Sequence, residues 1–189
     1  HIFGLLPATA LVLLAACGAP ADPATDKARA EEMKADSAKH ATLEANKEAM
    51  KKVFTMFETG KTEGIENIVA DNIVSHVEPM PGTTSTGLQL LKETIAMQHT
   101  MWPDAKWAVT SMVAEGDLVF AHYHMTGTMN AGSMGPGMPA ANKPIDINGV
   151  DIVRYENGKG VEHWGYWEES KMMQQMGMMP PAEEAGKKK

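Results

Sequence analysis

The dipeptide Asn157-Gly158 lies between two runs that mix apolar and polar residues, "IDINGVDIVRYE" before it and "KGVEHWGYWE" after it. Asn-Gly in such a setting is a two-residue turn, because both positions tolerate positive φ, and it commits the flanking runs to an antiparallel hairpin. The turn also predicts the pairing. Glu156 faces Lys159, and an unbroken ladder then sets Arg154 against Val161, Val153 against Glu162, Ile152 against His163 and Asp151 against Trp164. Side chains alternate along strands, so the hairpin divides into two sets. One holds Asp151, Val153, Tyr155, Glu162, Trp164, Tyr166 and Glu168. The other holds Val150, Ile152, Arg154, Val161, His163, Gly165 and Trp167.

The first set places the carboxylates of Asp151 and Glu168 around Trp164 and Tyr166. Desolvation beside aromatic rings raises a carboxylate's pKa, the condition for acid/base work near neutral pH. The alternative is a solvated face with acids at its edge. The second set could pack in a dimer interface, with Arg154 and His163 at its rim.

The rest of the chain supplies the partners of this hairpin. Met50, Val53, Phe54 and Phe57 recur at helical spacing, and Gly60 ends that pattern. A short second helix carries Ile65, Ile68 and Val69. "DNIVSHVE" reads as a short strand. Leu88, Leu91, Ile95 and His99 mark a third amphipathic helix that stops before Pro103. "AKWAVTSMVAEGD" and "LVFAHYHMTGTM" read as strands joined at a Glu-Gly-Asp turn. "NAGSMGPGMPAANKP" is a loop, "SKMMQQMG" a final short helix, and residues 179–189 a polar, disordered tail. Helices first and antiparallel strands after them give an α+β domain over residues 46–178, with helices packed on one face of a curved sheet.

With 189 residues, 43% of them hydrophobic, the chain supports one modest core. Its net charge of −7 argues against nucleic acid as a partner, which needs a cationic face. The first sixteen residues contain no Asp, Glu, Lys or Arg, and they end in small residues at the chain's one cysteine, Cys17. That run has the shape of a signal peptide, which by itself would give a soluble secreted protein, and is too short for a membrane span. Leu14-Ala15-Ala16-Cys17 resembles a bacterial lipobox. The resemblance implies cleavage after residue 16, lipidation of Cys17, and a basic segment ahead of His1. The expected location is the bacterial cell envelope. The membrane is met through the lipid anchor only, and Gly18 after the cysteine favours the outer membrane facing the periplasm. Residues 17–45 are then the lipidated cysteine and a tether or stalk, Pro- and Ala-rich at first and rich in Ala, Lys and Glu beyond.

"GVDIVRYENGKGVEHWGYWEESKMMQQMG" resembles the C-terminal signature of the SnoaL-like polyketide cyclase group in the nuclear-transport-factor-2-like superfamily. His76 before a Pro/Gly loop, "WPDAKW" and "AEGDLVFAHYHMTGT" are similar to other segments of that group. The resemblance implies a cone-shaped barrel, in which a strongly bent antiparallel sheet and three N-terminal helices close a cavity. It implies an apolar small-molecule ligand, no cofactor, and a homodimer in many members. Some members use a cavity carboxylate as acid or base; many have no known reaction. This chain departs from the signature at Gly165, where many relatives carry Asp, and at Glu168, where the second acid is often Asp.

The expected site therefore has Asp151 or Glu168 as base and His76 or Tyr166 polarising a carbonyl, with Trp164, Tyr166, His122, His124 and Trp102 in contact with the ligand. A capping or surface role for His76 is the alternative. A second function class is a non-catalytic module that stores or senses a hydrophobic ligand or a metal. His122 and His124 share a strand face and could hold a metal with His76 or Glu78. The Met-rich segments could bind Cu(I), or simply pack as adaptable apolar residues.

Overall fold

The computed structural model describes residues 22–79, 83–130 and 142–179. The apolar run 1–16, Cys17 with its expected lipidation, the Met-rich stretch 131–141 and the tail from 180 onward lie outside the described residues. The elements run in the order α1 (Pro23–Thr59), a 3-10 turn (Ile65–Asn67), β1 (Val69–Ser75), α2 (Gly87–Met101), β2 (Lys106–Glu115), β3 (Leu118–Thr128), β4 (Pro144–Glu156), β5 (Lys159–Trp167) and α3 (Glu169–Met176).

The chain divides into two compact units, residues 1–38 and 39–189. In the first, the described residues are the exposed opening turns of α1, rich in Ala, Lys and Glu. High helix propensity sustains them without an apolar stripe. In the second unit, burial along α1 begins at Asn46 and continues at Ala49, Met50 and Phe54. That spacing puts one side of the helix into the core.

The sheet has the order β1-β5-β4-β3-β2. Neighbours from β2 to β5 are antiparallel, whereas β1 runs parallel to β5. Among the described residues the fold is thus α+β with three helices and a mixed, curled sheet. Three details differ from the sequence reading, the first being a parallel β1 in a sheet expected to be antiparallel. The second expected helix is a single 3-10 turn, because Val69 already enters β1, and the third helix of the fold is α3 at the C-terminal end.

One face of the sheet is packed. On β3, Val119, Ala121, Tyr123 and Met125 are all buried and point to that face, in the alternation expected of a half-buried strand. They meet Met50 and Phe54 of α1, Met101 of α2 and Met176 of α3 in one cluster. Each fully buried aliphatic or aromatic side chain there contributes about 1.5–3 kcal/mol. Phe54, Trp107 and Tyr123 form an aromatic knot, with ring centroids 4.9 to 5.9 Å apart in tilted contacts. The carboxylate of Glu58 accepts the backbone N–H of Trp107 at 2.7 Å and ties α1 to the start of β2.

The hairpin turn is as predicted: Asn157 has φ 51°, Gly158 has φ 77°, and Glu156 pairs with Lys159. The ladder beyond it is not the unbroken one. Tyr155 pairs with Gly160 and Arg154 with Glu162, so Val161 is an extra residue on β5. Past this bulge Val153 opposes His163, Ile152 opposes Trp164 and Asp151 opposes Gly165. A slip of one residue turns every later side chain of β5 to the opposite face. Asp151, Val153 and Tyr155 therefore share their face with His163, Gly165 and Trp167, while Glu162, Trp164 and Tyr166 turn to the other face.

Candidate active site in the curled sheet

The packed face does not close completely. It leaves a cavity of about 270 Å³, mostly apolar, at the small end of ligand pockets. Phe54 and Phe57 of α1, Leu91 and Met97 of α2, Trp102 beyond α2, and Trp107 of β2 form part of its wall. Tyr123 of β3 and Asp151, Val153 and Tyr155 of β4 form another part, with His163, Gly165 and Trp167 of β5 beside them. Ser75, Val77 and Glu78 come from the end of β1 and the chain just after it.

Asp151 and His163 are the ionisable pair of this wall. His163 Nε2 lies 3.5 Å from Asp151 Oδ1, with side chains 26% and 18% exposed. On its other side, Ser75 Oγ lies 3.3 Å from His163 Nδ1. The parallel pairing of β1 with β5 sets Ser75 beside His163, which is why a strand not read as a hairpin neighbour contributes to the site. Tyr123 reaches the same region because Gly149, its cross-strand partner, has no side chain: a Cβ there would stand 2.3 Å from the Tyr123 ring. Burial, and then the negative charge of Asp151, push the pKa of the Tyr123 phenol well above its ordinary value, so it stays a neutral O–H donor. Gly165 lets the pair and Val77 approach closely, since a Cβ there would be crowded, 3.0 Å from Val77 Cγ2. The same Cβ would lie 3.1 Å from Asp151 Oδ1 and 3.4 Å from His163 Cε1.

The other expected site residues lie elsewhere. Glu168 stands just before α3, away from the cavity wall. It accepts the Asn148 backbone N–H at 2.7 Å and Lys171 Nζ at 3.2 Å. Those bonds hold its carboxyl below the usual carboxylate value, the reverse of the raised value expected for an acid among aromatics. Tyr166 is exposed. His76 stacks on Trp164, with centroids 4.8 Å apart and planes 9° from parallel, and donates to Glu162 Oε1 at 2.8 Å. Arg154 joins them, with Nε 2.8 Å from Glu162 Oε2. His76, Trp164, Glu162 and Arg154 thus form a cluster on the opposite face of the sheet. His163, expected at the rim of a dimer interface, and Trp167, expected within it, turn into the cavity.

His122 and His124 share a strand face, as their spacing required, but it is the one opposite Tyr123. His122 bonds Thr110, and His124 bonds Asp146 at 3.0 Å. Neither is brought to His76 or Glu78, and no group of three or more metal-ligating His, Cys, Asp or Glu is found among the described residues. Met50, Met97, Met101, Met125 and Met172 line the cavity, where the thioethers act as apolar wall. Trp102 lines it too; its Nε1 is buried without a hydrogen-bond partner, as is His99 Nδ1.

Ser75, Tyr123 and Trp107 were missed as site residues by the sequence reading. Tyr123 carried a signal, since it alternates with His122 and His124 and must face the other way. The inward turn of His163 carried one as well: Gly160, just after a hairpin turn, is a residue that marks bulges.

A curled mixed sheet with helices on its inner face and an apolar cavity between them defines the nuclear-transport-factor-2-like class of α+β proteins. Within that class the chain belongs to the SnoaL-like polyketide cyclase family, which it matches over residues 43–176. Among solved structures, it is similar to a candidate polyketide cyclase from Bacillus cereus, with 26% identity and a TM-score of 0.57, over 69% of this chain and 79% of that one. TsrD from Streptomyces laurentii shares the fold at 18% identity and a TM-score of 0.62, over 71% of this chain and 96% of that one. A candidate SnoaL-like polyketide cyclase from Jannaschia shares it at 16% identity and a TM-score of 0.58, over 72% and 94%. No curated protein matches the chain.

Proposed function

We propose that this protein binds a small, neutral, mostly apolar molecule in its cavity and moves a proton on it through Asp151, in the manner of a cyclase or isomerase. One observation carries the reading: Asp151 is set into an apolar wall beside His163, while Glu162 and Glu168 are tied up in ion pairs outside it. A carboxylate in that position accepts a proton from a carbon next to a carbonyl, and His163 Nε2–H steadies it. Tyr123, kept protonated, is the donor placed to polarise the carbonyl, the role expected of His76 or Tyr166. The described wall holds no Lys or Arg, which favours a neutral ligand over an anionic one.

A second reading, a non-catalytic carrier of the same kind of ligand, is favoured by Gly165. Where many relatives carry Asp this chain has a glycine packed closely against Asp151 and Val77, so the site has one carboxylate fewer to work with. A ligand screen separates the two. Binders that enter the cavity change the fluorescence of Trp102, Trp107 and Trp167, and a catalyst exchanges the binder's acidic C–H for deuterium in heavy water. Exchange that is absent in every binder, or unchanged in Asp151→Asn, leaves the carrier reading. The lipobox-like Leu14-Ala15-Ala16-Cys17 supports attachment of the cavity domain to the bacterial envelope. Labelling with a fatty-acid analogue that persists in Cys17→Ser would remove that part of the proposal.

A further inference from the structure

Three side chains on adjacent strands form a line that proton transfer by Asp151 does not fully use. Ser75 ends β1, His163 lies next to it on β5, and Asp151 lies diagonally across on β4. All three line the cavity. Ser75 Oγ is 3.3 Å from His163 Nδ1, and His163 Nε2 is 3.5 Å from Asp151 Oδ1. The direction of the line is set from its far end. The backbone N–H of Val77 donates to Ser75 Oγ at 3.3 Å. That oxygen is thereby an acceptor towards Val77, and its own hydrogen is free for Nδ1. Neutral His163 then carries its hydrogen on Nε2, facing the Asp151 carboxylate. Hydroxyl to imidazole to carboxylate is the order that activates a serine for acyl transfer, and it is recognised by geometry rather than by sequence position.

We propose that Ser75 is a nucleophile, activated by His163 and Asp151, that cleaves small neutral esters held in the cavity. Ser75 Oγ attacks the ester carbonyl carbon as its proton passes to Nδ1, and Asp151 balances the charge of the imidazolium. The carbon–oxygen bond to the alcohol breaks, and the alcohol leaves with the proton from Nδ1. Water then attacks the acylated Ser75, giving its proton to Nδ1. The carboxylic acid departs, and the serine oxygen takes that proton back. The apolar wall and the lack of Lys or Arg in its described part select an uncharged acyl chain. This activity goes beyond the proton-transfer reading, in which Ser75 has no part.

The test uses the full chain and two probes, a fluorophosphonate that phosphonylates activated serines and p-nitrophenyl butyrate. The expected result is one phosphonate adduct, mapped by peptide mass to Ser75 and absent in Ser75→Ala. Release of p-nitrophenol should begin with a burst of about one equivalent. His163→Gln should slow both reactions about a hundredfold, the worth of a general base. Ser75→Cys guards against misfolding of the alanine variant. It keeps a nucleophile in place, so iodoacetamide should alkylate residue 75 more slowly once His163→Gln is added. The proposal is overturned if the folded wild-type chain takes no adduct or takes it at another serine. It is equally overturned if Ser75→Ala, folded by near-ultraviolet circular dichroism, hydrolyses the ester as fast as wild type, or if alkylation of Ser75→Cys ignores His163→Gln.

Discussion

His163 Nε2 stands 3.5 Å from Asp151 Oδ1 across the β4–β5 ladder, and both side chains face the cavity. The contact exists because Val161 is bulged out of β5. Without the bulge Trp164 would oppose Asp151, and the imidazole would lie on the other face. One extra residue near a hairpin turn thus decides which groups share the apolar wall.

Replacing Asp151 by Asn keeps the shape of the side chain and removes its basicity. The expected result is a loss of about 10²-fold or more in any proton-transfer rate, with a change in stability within about 1 kcal/mol. Glu168→Gln should do the opposite. It should leave that rate alone and lower the melting temperature, because the Asn148 N–H and Lys171 lose a charged partner. Equal rate losses in the two variants would contradict the placement of the site in the cavity.

Gly149→Ala tests the close approach under Tyr123. The added Cβ would lie 2.3 Å from both Cζ and Oη of the ring, so the ring or the strand must move. Overpacking of this kind costs about 1–3 kcal/mol, measurable by urea denaturation. Tyr123→Phe should not rescue the variant, because Cζ is as close as the hydroxyl. A Gly149→Ala protein of wild-type stability would mean that the ring does not lie over β4.

The fold was legible where local chemistry dictates it. The Asn157-Gly158 turn, the helical spacing of Met50 and Phe54, and the alternation on β3 are all forced by residues close in sequence. The site was legible only in part. Asp151 was singled out, but its neighbours on β5 were assigned by assuming an unbroken ladder, and the bulge at Val161 inverted them. Ser75 enters the site through a parallel pairing between segments far apart in the chain, and nothing within "DNIVSHVE" specifies that partner. Trp164 and Tyr166 read as pocket aromatics because the unbroken ladder set them on the face of Asp151. In the fold they occupy the other face, where Trp164 carries the His76 ring.

Tyr123 and Tyr155 set the behaviour at high pH. Burial raises both phenols above their ordinary value of 10.0, and Asp151 adds to the effect at Tyr123. Below pH 10 both are neutral in either state, and no stability depends on them. Above it the unfolded chain loses those protons while the folded one keeps them, so stability falls as pH rises. Tyr123→Phe and Tyr155→Phe should each flatten this alkaline decline in urea midpoints. A decline that stays as steep in the double variant would exclude these phenols as its source.

Glu162 sets part of the behaviour at low pH. The hydrogen bond from His76, then that from Arg154, hold its carboxyl below the ordinary value of 4.5. Above pH 4.5 the carboxyl is ionised in both states, and the two bonds contribute in full. As the pH drops below that value the unfolded chain takes up a proton first, and the contribution is gone once the folded carboxyl is protonated too. Stability should therefore decline with acid from that point, and Glu162→Gln should decline less steeply while starting lower at neutral pH. Asp146 and Glu168, also held low by their partners, keep a residual slope in the variant. The group is partly exposed, so added salt should shrink the difference between wild type and variant. Melting temperatures of the two proteins from neutral pH to about pH 3 give the comparison directly. Parallel curves would show that the pairing of His76 and Arg154 with Glu162 does not contribute to stability in solution.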